Sequence, residues 1–192
     1  WFSQSENFGP LPFDENFKCI MPGLDGDSIE ELFSEIESLL TNSFNPVHPG
    51  SLAHLDPPPL IFSILGDLIA AGLNNNLLAY ELSPSVTLLE NSLCKWFAMK
   101  IGFNNSSGGI AASGGTLSNL NALVAARHNA GLGSDPNSVL IVSEDAHSSF
   151  IKCTRIMGLK DGNLVKIKTD NEGCMDINNL KESLNQCSID NK

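Results

Sequence analysis

The sequence is poor in basic residues and has no long apolar run. Lys and Arg total 11 against 22 Asp and Glu, which gives a net charge of −11. Without a basic patch there is no electrostatic footprint for nucleic acid or an anionic membrane surface. The most apolar segment, residues 60–73, carries Asp67 and is too short to cross a bilayer. The five cysteines, Cys19, Cys94, Cys153, Cys174 and Cys187, form no C-x-x-C pair and are odd in number. That argues against a disulfide framework or a zinc site, and for reduced thiols in the cytoplasm. No metal ligand set is expected. The first residue is Trp1 rather than Met, so a removed targeting segment stays open.

What is present is a globular composition, with 42% hydrophobic and 17% charged residues over 192 positions. Residues 1–24 are rich in Phe, Pro, Gly and Asn and read as an arm that packs on another surface. Ser28 and Glu31 form a candidate capping box for a helix. Its apolar face is Ile29, Leu32, Phe33, Ile36, Leu39 and Leu40, and it ends near Asn42. Residues 45–59 hold five prolines with His48 and His54 and make a stiff loop. Such a loop suits a pocket wall, although most loop histidines simply face solvent. A second helix runs from about Leu60 to Leu73. Ser83 and Pro84 start a third, with Val86, Leu89, Leu93, Trp96, Phe97 and Ile101 as its expected buried stripe, and Gly102 ends it.

The centre of the sequence is Ile110 to Arg127. It reads as a short strand, a Ser113-Gly114-Gly115-Thr116 turn and a helix carrying Leu117, Leu120, Leu123 and Val124. Glycines before a helix let backbone approach a ligand, and the first-turn N–H groups with the helix dipole favour an anion. The same residues also read as a tight turn with Ser113 or Thr116 capping the helix. Ser138 to Val142 is a continuous apolar run, the pattern of a strand in a parallel sheet. A helix over 150–157, a strand over 164–167 and a helix over 176–184 follow. The alternation β-α-β-α-β-α from residue 110 predicts a doubly wound α/β domain with right-handed crossovers. Ligands in such folds sit beyond the carboxyl ends of the strands. Thr116 and His147, each following a strand, are therefore expected at one crevice. A role for His147 in capping the next helix is the other reading.

Four segments together resemble the pyridoxal-phosphate-dependent group II amino-acid decarboxylases, of fold type I. They are H-P-G-S-L-A-H-L-D-P-P-P-L at 48–60, Y-E-L-S-P-S-V-T-L-L-E at 80–90, A-S-G-G-T-L-S-N-L-N-A-L-V-A-A-R at 112–127 and S-E-D-A-H-S-S at 143–149. They stand in the family's order, and the resemblance spans roughly residues 28–184. It implies an N-terminal arm, helix and proline-rich loop over 1–60. It implies part of the large pyridoxal-5'-phosphate-binding domain over 61–192. Gly114, Gly115, Thr116 and Asn119 match the turn and helix that hold the cofactor, and His147 matches the histidine that stacks on its ring. His54 and Leu55 match positions lining the substrate pocket. Asn76 and Leu78 match a segment reaching a partner subunit's site.

The sequence departs from the family in one large respect. The lysine that binds the cofactor covalently and the aspartate that pairs with the ring nitrogen lie in downstream motifs, and no lysine here sits in such a motif. The expectation is an N-terminal fragment of an amino-acid carboxy-lyase, inactive alone, with a homodimer partner or a complementing C-terminal half. A fragment of another fold type I enzyme, a lyase or an aminotransferase, is the alternative, as is a non-catalytic chain that binds a phosphate ligand or a partner.

Overall fold

The structure is a computed structural model that describes residues 24–52, 55, 57–133 and 135–190. The chain divides into two units, Trp1–Asn76 and Leu77–Lys192.

In the first unit, helix α1 spans Ile29–Thr41 and opens on the expected capping box. The Ser28 hydroxyl accepts from the Glu31 N–H at 3.2 Å, and the Glu31 carboxylate accepts from the Ser28 N–H at 2.8 Å. Asn42 closes the helix. Helix α2 spans Ile61–Leu73, and Asn74 ends it in the left-handed region at φ 45°. Asparagine tolerates that conformation better than most residues. The apolar faces of both helices are open, with Phe33 and Phe62 well exposed. The arm before Leu24 and His54 lie outside the described residues.

The second unit begins with a 3₁₀ turn, Tyr80–Leu82, and helix α3, Pro84–Lys100. Pro84 takes the first helical position, where its missing N–H costs nothing. Ser83 occupies the N-cap position, but its hydroxyl does not cap the first turn. The predicted stripe on α3 is not buried. Leu89, Leu93, Trp96, Phe97 and Ile101 are all at least half exposed, and Ala98 is the buried residue of the helix. Nothing among the described residues covers the stripe along its length, so periodicity correctly marked a face without marking what meets it.

Helix α4 spans Gly115–Asn129. Beyond its end Gly131 stands at φ 71°, and the Leu132 N–H reaches back to the Arg127 carbonyl. The strand expected at Ile110–Ala112 is not formed. The Ala111 N–H donates to the Glu90 carboxylate of α3 at 2.9 Å, so this backbone group is satisfied without a sheet partner.

Strand β1 spans Leu140–Ser143, two residues later than the apolar run begins. Helix α5 (Ser149–Ile156) then crosses over to strand β2 (Leu164–Ile167). The strands pair in parallel, Leu140 opposite Leu164 through Ser143 opposite Ile167. A parallel pair needs such a crossover, because a tight turn cannot return the chain to the same end. Helix α6, Ile177–Ile189, starts with the Asp176 carboxylate accepting from the N–H groups of Asn178 and Asn179.

Apart from Ala98, the buried apolar residues of this unit come from α5, the turn after it and the two strands, with α5 packed on α4. Val142, Cys153, Leu159 and Ile167 are buried there, with Cys153 and Ile167 fully so. Two of the buried polar side chains are paired, whereas the Ser138 hydroxyl has no hydrogen-bond partner among the described residues. Asn163 donates to the carbonyls of Pro136 and Ser138, and the Thr154 hydroxyl donates to the Phe150 carbonyl. The observed order is α4-β1-α5-β2-α6, the α/β pattern read from the sequence less its first strand.

Candidate functional site

The site is assembled by two chain segments that lead into helices. At the start of α4, Gly114 holds an extended backbone, φ 170° and ψ 168°. No side chain caps this end of α4 among the described residues, so the helix-cap reading of Ser113 and Thr116 is not what the structure shows. A Cβ on Gly114 or Gly115 would meet nothing within 4 Å among the described residues. Neither glycine is therefore required by the fold's own packing or by a positive φ. The space above them is open, and a methyl group would fill it. A backbone N–H cradle for an anion has this form.

The second segment leaves the carboxyl end of β1. Its first N–H, from Glu144, still donates to the Ile167 carbonyl at 2.8 Å and so extends the parallel ladder by one bond. The Glu144 carboxylate then accepts from the Thr169 N–H at 2.8 Å and from its hydroxyl at 3.1 Å. These bonds hold the Glu144 carboxyl below the usual carboxylate range, the backbone N–H most of all, with Lys168 and Lys166 adding to the effect. Asp145 accepts from the same hydroxyl at 3.1 Å, and the one hydroxyl hydrogen serves one carboxylate at a time. The loops after β1 and β2 are thus tied together at the strand ends.

His147 follows on this loop and is exposed. Its Nδ1 edge is held: the Ser149 N–H donates to Nδ1 at 3.1 Å, and the Ser149 Oγ stands 2.9 Å from the same nitrogen. Ser149 is fully buried at the start of α5. Its Oγ also accepts from the Asn119 amide of α4 at 2.9 Å. One turn nearer the start of α4, the Thr116 carbonyl lies 3.7 Å from the Cys153 thiol of α5, which donates to it. The α4 N-terminal turn and the His147 loop are therefore fastened side by side.

The residues expected at one crevice are partly brought together in this unit. Thr116, Asn119 and His147 share the α4–α5 contact, and Gly114 and Gly115 open the same helix. Leu78 is almost wholly exposed and belongs to the same unit. Leu55 and Asn76 lie in the first unit and are exposed. Three residues carry contacts here that sequence reasoning did not name as site residues: Ser149, Glu144 and Thr169. Ser149 had one signal, a serine two positions after a histidine where a helix begins. Thr169 had none, because its partner stands 25 positions away.

Residues 23–190 match the family model described as the pyridoxal-dependent decarboxylase conserved domain. Among similar proteins, L-2,4-diaminobutyrate decarboxylase of Acinetobacter baumannii is 26% identical over 192 residues, covering 89% of this chain and 38% of that protein. Aromatic-L-amino-acid decarboxylase of Bacillus atrophaeus is 29% identical over 169 residues, covering 83% of this chain and 35% of its own length. The fold is that of Catharanthus roseus tryptophan decarboxylase, solved in complex with L-tryptophan. The TM-score is 0.82 at 20% identity, over 98% of this chain and 44% of that one. The chain thus spans about two fifths of the length of the proteins it matches. With an open glycine turn at α4 and a tethered histidine beside it, this chain belongs to the pyridoxal-dependent decarboxylase family.

Proposed function

We propose that the chain is the N-terminal portion of a pyridoxal-phosphate-dependent amino-acid decarboxylase, with residues 61–192 forming part of the cofactor-binding domain. The observation that carries this reading is the uncapped start of α4, with open space above Gly114 and Gly115, fastened to the loop that bears His147. The family match over residues 23–190 supplies the ligand class.

The residues fit the group. The backbone N–H groups at Gly115 and Thr116 and the Thr116 hydroxyl would hold the phosphate. Gly114 keeps the approach clear. His147 would lie against the ring plane, held from behind by Ser149 and Asn119. When bound, the cofactor's electron-poor ring accepts the electron pair released as carbon dioxide leaves the amino acid. This chain's part is to bind, to orient and to place an imidazole beside the reacting centre. The lysine that binds the cofactor covalently and the carboxylate for the ring nitrogen would come from the remainder of the protein. His54, Leu55, Asn76 and Leu78 would line the substrate pocket or reach a partner subunit's site in a homodimer.

No helix among the described residues is long and apolar enough to cross a membrane. A cytoplasmic setting is part of the same proposal, on the odd number of cysteines in the sequence and their lack of any C-x-x-C spacing.

The test is a calorimetric titration with pyridoxal phosphate, with pyridoxal and with inorganic phosphate, followed by a carbon dioxide release assay on a panel of amino acids. The expected result is binding that depends on the phosphate, competition by inorganic phosphate, and no turnover by the isolated chain. Equal binding of pyridoxal and pyridoxal phosphate would remove the phosphate anchor from the reading. Turnover by the isolated chain would refute its dependence on a missing lysine.

A further inference from the structure

The contacts around His147 fix more than its position. A backbone N–H only donates, so Nδ1 of His147, 3.1 Å from the Ser149 N–H, must accept. A neutral imidazole has one accepting and one donating nitrogen, which leaves the hydrogen on Nε2. The Ser149 hydroxyl is consistent with the same assignment. The Asn119 amide nitrogen only donates, and it points into Ser149 Oγ at 2.9 Å. The single hydroxyl hydrogen is then directed to Nδ1, 2.9 Å away. Donation runs one way, from Asn119 to Ser149 to His147. Ser149 is fully buried, so water does not compete for its hydroxyl.

We infer that Ser149, oriented by Asn119, is a positioning residue that locks His147 in the Nε2–H tautomer, so that the exposed edge of the ring offers a hydrogen-bond donor. The tautomer follows from this chain's own contacts. Its use in catalysis rests on the proposed function: a donor beside the cofactor could reach the substrate carboxylate or hand a proton to the reacting carbon, which an unprotonated Nε2 could not. Asn119 then acts through Ser149 and His147.

The experiment is long-range ¹H–¹⁵N correlation NMR of the 192-residue chain with ring-labelled histidine, at about pH 8, above the ordinary histidine range. The His147→Gln spectrum assigns the signal. The expected wild-type spectrum shows an unprotonated Nδ1 and a protonated Nε2 in a single dominant tautomer. A protonated Nδ1, or two equally averaged nitrogens, overturns the inference without any variant. Asn119→Asp replaces the donor with an acceptor, which draws the Ser149 hydroxyl hydrogen away from the ring. The Nε2–H to Nδ1–H ratio should fall about five-fold, the loss of one ordinary hydrogen bond of ~1 kcal/mol. Ser149→Ala should move it in the same direction, and Ser149→Thr, which keeps the hydroxyl, should restore it. A wild-type ratio in folded Asn119→Asp and Ser149→Ala chains would show that neither residue sets the tautomer. A pyridoxal phosphate titration of the same wild-type sample separates the two ideas. Absent binding removes the functional reading and leaves the tautomer result standing.

Discussion

The Asn119 amide donates to the Ser149 hydroxyl at 2.9 Å across 30 positions of sequence. This contact joins the helix that opens on the glycine turn to the loop that carries His147. Neither residue is special by type, and each is ordinary in a helix. Their effect comes from burial: inside the fold a satisfied polar pair specifies one arrangement of the two elements, because an unsatisfied one is costly.

The glycine turn separates fold from function. A Cβ at Gly115 meets nothing within 4 Å among the described residues, and the residue stands at the first position of α4. Gly115→Ala should leave thermal stability unchanged or raise it by up to ~1 kcal/mol, since alanine is the better helix former. The same change should weaken pyridoxal phosphate binding at least several-fold, read by calorimetry. Unchanged affinity would mean that the phosphate does not sit against this turn.

The Glu144 carboxylate is held below the usual range by the Thr169 N–H and hydroxyl. A carboxyl lowered by folding stabilises the native state above its unfolded pKa, and that contribution is lost as pH falls through the folded value. The tie between the two loops should therefore survive at neutral pH and open on acidification below the ordinary carboxylate range. The Thr169 amide should exchange faster with solvent in that window. Thr169→Val should bring the Glu144 titration, followed by NMR, back toward its ordinary value.

Asn163 is buried and donates from one amide nitrogen to the carbonyls of Pro136 and Ser138. Asn163→Ala leaves both acceptors without that donor and should cost about 2 kcal/mol in urea unfolding. A change below about 0.5 kcal/mol would show that water replaces the amide.

Ile167 is fully buried on β2, whereas Ile177 on α6 is more than half exposed. Ile167→Ala should destabilise by about 3 kcal/mol and Ile177→Ala by well under 1 kcal/mol, read as shifts of the denaturant midpoint. Equal effects would mean that Ile167 is not part of the core.

At α1, Ser28→Ala removes the acceptor for the Glu31 N–H. Loss of such a cap costs about 1 kcal/mol of helix stability. Circular dichroism and amide exchange of residues 29–32 should report a frayed first turn.

The helices, their ends and the parallel strands were legible because their causes are local. The Ser28 and Glu31 box satisfies backbone groups within a few residues, and Pro84 suits the first turn of α3. The β-α-β alternation was likewise a matter of period. The glycine turn and His147 could be singled out because their residue types carry chemistry. What the sequence could not decide was which of these local features would meet. At Ile110–Ala112 the expected strand is absent among the described residues, and the Ala111 N–H goes to Glu90 of α3. The stripe on α3 has the right period but no cover among the described residues, since periodicity describes one surface and burial requires two. Side-chain caps were absent where Ser83 and Thr116 were candidates. Above all, the buried Ser149 acquired its role only when α4 and α5 packed together. Hydrogen bonds between distant residues depend on angles and distances of a fraction of an ångström, which tertiary packing sets and residue identity alone does not.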